Sequence, residues 1–235
     1  MCKLIGLELR RNRLGPYHGA AAICCVCMLA FQYLMAAVPY LDPADQDAEL
    51  FRSYSFVTGM TGLVSMAVFT ILGSVMASRF ILEEYNGKRA ILLFSYPVSR
   101  RRILAAKLCL VTGYTVCAVL LCGGAVYGIF FLTEALAPIC SDRLTLEVVL
   151  RSFGFLTVCA ILAGFLGLLA LWIGFRKRST PAAIVAAVIL ASVVCQVVSV
   201  AIVFWPAGGL VMGAAALLSV LVLKDLFDRV EKMEV

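Results

Sequence analysis

The groups that could do chemistry in this chain crowd into one segment, residues 79–107. It reads Arg79-Phe-Ile-Leu-Glu-Glu-Tyr-Asn-Gly-Lys-Arg-Ala-Ile-Leu-Leu-Phe-Ser-Tyr-Pro-Val-Ser-Arg-Arg-Arg-Ile-Leu-Ala-Ala-Lys107. Adjacent carboxylates such as Glu83 and Glu84 can support hydrolysis inside a membrane when an arginine follows four residues on and a histidine comes from another helix. Here Lys88 takes the arginine position, and the chain's one histidine is His18. No acid or nucleophile accompanies His18, so it is expected to be an interfacial residue. Gly-x-x-x-x-Gly-Lys-Ser/Thr, the run that cradles nucleotide phosphates, is absent, as are Gly-x-Ser-x-Gly and His-Glu-x-x-His. The chain is therefore expected not to be an enzyme and to hold no cofactor of its own. Its ten cysteines lack metal-site spacing. All but Cys2 and Cys140 fall in apolar stretches, where they act as small packing residues.

The elements that must carry this segment follow from composition. The 235 residues are 63% apolar and 14% charged, and the mean hydropathy is +1.02. A soluble domain carries roughly 25% charged residues. This much apolar surface needs lipid to cover it. The fold class expected is all-α: a polytopic membrane protein with six transmembrane helices forming one transmembrane domain over residues 1–235. The spans are expected at about 17–38, 54–78, 108–132, 148–175, 182–204 and 210–223, good to a few residues. Residues 1–14 combine apolar Leu4, Ile5, Leu7 and Leu9 with a basic side. They suit a short amphipathic helix on anionic headgroups, or a plain positive flank of the first span. This start is basic and mixed rather than a cleavable signal. Residues 79–107 form a loop, 205–209 a tight turn with an interfacial tryptophan, and 224–235 a charged tail.

Orientation follows from the basic residues. Seventeen of the twenty Lys and Arg lie on one side, and only Arg52, Arg143 and Arg151 on the other. The positive-inside rule then puts both termini in the cytoplasm, in a multi-pass protein of the cytoplasmic (inner or plasma) membrane. Acidic residues divide evenly, with Glu134 and Glu147 in an outer loop. The net charge of +6 thus reads as topology rather than nucleic-acid binding. No charge falls at a span centre, which argues against a proton-coupled carrier. Gln196 is the strongest polar side chain deep in a span, suited to an interhelical hydrogen bond or to a translocation path. Gly124-x-x-x-Gly128 and Gly209-x-x-x-Gly213 would permit close helix approach.

Topology needs basic charge in residues 79–107, but it does not need Pro-Val-Ser-Arg. The segment resembles the first cytoplasmic loop of type-2 ABC transporter permeases, the ABC-2 exporter family, in its compact six-span branch. In that family an acidic residue and a glycine follow the second span. An apolar helical stretch and Pro-Val-Ser-Arg come next, and a lysine opens the third span. Here these are Glu83 or Glu84, Gly87, Ile91-Leu92-Leu93, Pro97-Val98-Ser99-Arg100, Ile103-Leu104 and Lys107. The match covers about 25 residues, and the six-span plan and basic start extend the likeness. The resemblance implies the permease subunit of an ATP-driven exporter. Energy would come from a separate ABC ATPase, present in two copies and binding ATP and Mg. The second half of the path would be another copy of the permease or a related one. The cargo would be hydrophobic or amphipathic, such as a peptide antibiotic or drug, and self-immunity is one such role. Residues expected to couple the permease to its ATPase are Glu83, Glu84, Gly87, Pro97, Ser99, Arg100 and Lys107. The rival reading is a non-transport scaffold or sensor subunit of a membrane complex.

Overall fold

A backbone in hydrocarbon must satisfy its own hydrogen bonds, and a helix does so within one segment. The computed structural model follows that rule throughout. It describes residues 6, 14–41, 48–85, 100–136, 144–203 and 205–231. The expected amphipathic start apart from Gly6 and Leu14, together with Cys2, Cys140, and residues Gly87, Pro97 and Ser99 of the coupling segment, lies outside the described residues.

Among the described residues every element is helical. In chain order these are α1 (Gly15–Leu41), α2 (Ala48–Phe51) and α3 (Tyr54–Ala77), the last running through a π-helical turn (Ser78–Leu82) into α4 (Glu83–Tyr85). Then come α5 (Arg100–Leu136), α6 (Leu146–Lys177), α7 (Thr180–Val203) and α8 (Trp205–Glu231). Five stretches are long and apolar enough to cross a membrane: Gly15–Leu41, Tyr54–Tyr85, Arg101–Leu136, Leu146–Lys177 and Thr180–Ser199. The sixth expected span falls in α8, whose apolar part, 210–223, covers about 21 Å at 1.5 Å per residue. The hydrocarbon core is about 30 Å thick. Among the described residues the fold is therefore all-α with five helices long and apolar enough to span, and the sixth rests on the sequence.

Burial ranks the helices. The central windows of Tyr54–Tyr85 and Leu146–Lys177 are 61% and 56% buried, against 22% for Gly15–Leu41 and 28% for Thr180–Ser199. The chain is thus built on α3 and α6, with α1 and α7 at the periphery. Peripheral helices turn aliphatic side chains outward, as Ile23 and Val26 on α1 and Val185, Ile189 and Val193 on α7 do. In a soluble protein such surface would mark an interface; in a span it faces lipid or another span.

Close approach uses other glycines than the repeated pairs suggest. Gly128 and Gly213 have open space where a Cβ would stand, and Gly124 has only an ordinary contact. A Cβ on Gly73 of α3 would lie 2.4 Å from the Thr115 Oγ1 of α5. One on Gly123 of α5 would lie 2.6 Å from a Leu156 methyl of α6. A Cβ on Gly174 of α6 would lie 2.5 Å from the Ala183 Cβ of α7. At each place a missing side chain lets two spans touch. The α6–α7 corner is closed by Arg178 in the left-handed region (φ 48°), with the Ser179 N–H donating to the Gly174 carbonyl at 3.2 Å.

Two expectations about loops change. Residues 205–209 belong to the first turns of α8 rather than to a tight turn between spans. Pro206 is tolerated there because the first helical N–H groups have no partner inside the helix. Glu134 lies within α5 rather than in an outer loop, and it is 3% exposed. Its Oε2 accepts the Tyr54 hydroxyl at 2.9 Å.

Candidate functional site

The helix carrying Glu83 and Glu84 does not stop where the apolar stretch does. It continues from α3 through the π turn to Tyr85, and its partner α5 begins at Arg100, seven residues before Lys107. The ends of the loop segment are therefore helical extensions of two spans. In the π turn the Glu83 N–H reaches back five residues to the Ser78 carbonyl. One extra residue per turn shifts the side chains that follow around the axis, and such turns recur at functional positions.

The shift separates the two carboxylates. Glu83 faces outward and is exposed. Glu84 is 7% exposed and turns inward to Lys107 of α5, which is 1% exposed. The Lys107 Nζ donates to the Glu84 Oε2 at 2.6 Å and to the Phe80 carbonyl at 3.0 Å. One ammonium thus ties the π turn and α4 to α5. The short bond to the carboxylate and the second acceptor supply hydrogen-bond partners that a lysine held away from water needs. Glu84, expected to take part in coupling to the ATPase, bonds Lys107, the other end of the same segment.

Aromatic packing completes the base. Tyr17 of α1 meets Phe80 edge-on at 5.4 Å, and Tyr85 meets Phe175 of α6 at 5.7 Å. Ile81, Leu82, Ile103 and Leu104 are buried in the same cluster. Tyr85 therefore lies where α1, the α3 extension, α5 and α6 pack together. Arg100 contributes the first residue of α5.

A neighbouring contact was not legible from residue types. The Trp172 Nε1 of α6 donates to the Asp225 Oδ2 of α8 at 2.6 Å, and the Arg176 guanidinium stacks 5.5 Å from the Trp172 ring centre. An acidic residue at the end of an apolar stretch reads as part of a tail until its partner, 53 residues away, is placed beside it.

Gln196 is brought to none of these groups. It is exposed on the surface of α7. His18 is also exposed, with its Nδ1 3.3 Å from the Tyr114 hydroxyl. Among the described residues no group of His, Cys, Asp and Glu is arranged to hold a metal ion.

At the other end of the spans a second polar group joins helices. Tyr33 pairs with Thr133 at 2.6 Å, Thr58 with Ser152 at 3.0 Å, and Tyr127 donates to the Thr58 carbonyl at 2.5 Å. With Tyr54 and Glu134 these bonds link α1, α3, α5 and α6. These bonds run from one helix to another, which is the usual form of polar packing between spans.

Residues 8–194 match the profile of a family described as ABC-2 family transporter protein. The chain is 29% identical to "Uncharacterized protein YcbO" of Bacillus subtilis (strain 168) over 187 residues, 80% of each chain. No solved structure matches. A family match over most of the chain, on a helical fold with five clear spans, shows that this multi-pass membrane protein belongs to the ABC-2 transporter family and is a permease subunit.

Proposed function

We propose that the chain is the permease of an ATP-driven exporter and that residues 79–107 couple it to a separate ABC ATPase. Permeases of this family generally work with such partners. The observation that carries the proposal is the buried clamp among Glu84, Lys107 and the Phe80 carbonyl. A segment that transmits force needs a rigid root, because a load applied to a frayed root is lost in local bending. Here a push on residues 86–99 passes directly into α3 and α5, and through Tyr85 and Phe175 into α6. ATP and Mg are held by the partner, present in two copies. Gly87, Pro97, Ser99 and Arg100 shape and orient the contact, and Glu83, not Glu84, offers the exposed carboxylate.

Both termini face the cytoplasm of the cytoplasmic membrane, as the distribution of basic residues requires. A second permease, identical or related, completes the path. Support for this comes from Gln196, a polar side chain on an exposed face otherwise formed by Val185, Ile189 and Val193. A second helix would relieve its exposure to lipid and could place it beside the cargo. The cargo is hydrophobic or amphipathic, and a peptide antibiotic or drug fits that class.

Charge reversal tests the docking role. Glu83→Lys should insert and fold normally but weaken ATPase association and transport, whereas Glu231→Lys in the tail should matter less. Close interfacial charge pairs can couple by about 1.5–7 kcal/mol, while exposed ones give below about 1 kcal/mol. Equal, small effects at the two sites, read by ATPase recovery on the purified permease, would remove the docking role from Glu83.

A further inference from the structure

A cleft of about 450 Å³ opens where α5 begins and α8 ends its apolar stretch. Arg101, Arg102 and Lys224 supply three cations, Asp228 one carboxylate, and Ala105 and Phe227 an apolar wall. We propose that this cleft binds the phosphate headgroup of an anionic phospholipid.

The charge balance favours an anion. Among the described residues that line it three cations face one carboxylate, and the bridge from Arg101 to Asp228 at 3.3 Å joins side chains 52% and 62% exposed. Exposed bridges of that kind contribute little and exchange readily. A guanidinium can grip a phosphate through two parallel N–H bonds, so Arg101 and Arg102 are suited to a phosphodiester. The start of α5 adds the positive end of a helix dipole.

The cleft also continues in the direction that a lipid needs. On α8, Leu221 and Leu217 lie three and seven residues before Lys224 and share its face, and they are 62% and 70% exposed. On α5, Cys109 and Gly113 continue the line from Ala105 and are exposed. A headgroup held among the basic residues would therefore lay its acyl chains along aliphatic surface. A soluble protein partner would leave that surface uncovered. Basic pockets between spans at a membrane boundary are a known form of anionic-lipid site. Such an occupant would brace α5, just after the coupling segment, against α8. The proposal does not depend on the ATPase reading.

The test uses the purified full chain in detergent micelles with Trp205→Phe, so that Trp172, bonded to the residue beside Lys224, reports on the cleft. Phosphatidylglycerol with brominated acyl chains is titrated against brominated phosphatidylcholine. Quenching is expected at a lower mole fraction of the anionic lipid. In R102Q/K224Q that preference should fall by roughly thirtyfold, from the loss of two cations near a surface. The charge-preserving R102K/K224R should keep most of it. D228N, which removes only the carboxylate, should strengthen it, and this variant decides the matter if R102Q/K224Q does not fold. Equal quenching by the two lipids overturns the proposal. So does a preference untouched by R102Q/K224Q and by D228N. Displacement of the brominated lipid by an equal concentration of inorganic phosphate would assign the site to a free anion and overturn the lipid.

Discussion

Replacing Lys107 by methionine should cost the folded protein about 3–5 kcal/mol, the loss expected when one member of a buried ion pair is removed. The size follows from burial. Lys107 is 1% exposed, and its ammonium bonds Glu84 and the Phe80 carbonyl. Methionine has comparable length and fills the space, so the loss is electrostatic rather than a cavity. It leaves the Glu84 carboxylate 7% exposed without its nearest positive charge. The double variant Glu84→Met/Lys107→Met should regain most of the stability, because an apolar replacement of a whole buried pair is often close to neutral. Unfolding of the purified permease in mixed micelles reads both variants. If Lys107→Met matches the wild type, the clamp does not hold the root of the coupling segment. Glu84→Lys also becomes a stability variant, since it would set two ammonium groups face to face in a buried site.

Gly174→Ala is expected to be the second most damaging single change, by about 1–3 kcal/mol from overpacking. The new methyl would lie 2.5 Å from the Ala183 Cβ, 2.9 Å from a Leu82 methyl and 3.2 Å from the Ala183 Cα. Neither the Cβ nor the Cα of Ala183 can move without moving α7. Gly73→Ala meets a Thr115 hydroxyl at 2.4 Å, but that side chain can rotate, so its cost should be smaller. Ala183→Gly added to Gly174→Ala should restore part of the loss by removing the closest atom. Thermal unfolding checks the series; Gly174→Ala with wild-type stability would mean that α6 and α7 have room to separate.

These two sites show what residue types could and could not convey. Apolar run length was enough for the helices, because in lipid the backbone leaves few other solutions. Family likeness placed Glu84 and Lys107 in the same functional segment. That they bind each other was not legible, since they are 23 residues apart and the contact depends on the π turn at Ser78–Leu82. Nothing in Ser-Arg-Phe-Ile-Leu signals the extra residue that turns Glu84 inward and Glu83 outward. Glu134 was assigned to a loop by its charge, because its satisfying partner, Tyr54, lies 80 residues away. Paired glycines drew attention to Gly124 and Gly128, whereas the helices meet at Gly73, Gly123 and Gly174. Spacing within one helix reveals a small surface, but only the neighbour determines which small surface is used.

Copurification from native membranes under mild detergent shows whether this permease works with a separate ATPase. A subunit carrying a phosphate-binding Gly-x-x-x-x-Gly-Lys-Ser/Thr loop should be recovered, with hydrolysis stimulated by the transported substrate. Recovery of the membrane chain alone, or with partners that lack such a loop, would contradict it and favour a scaffold or sensor.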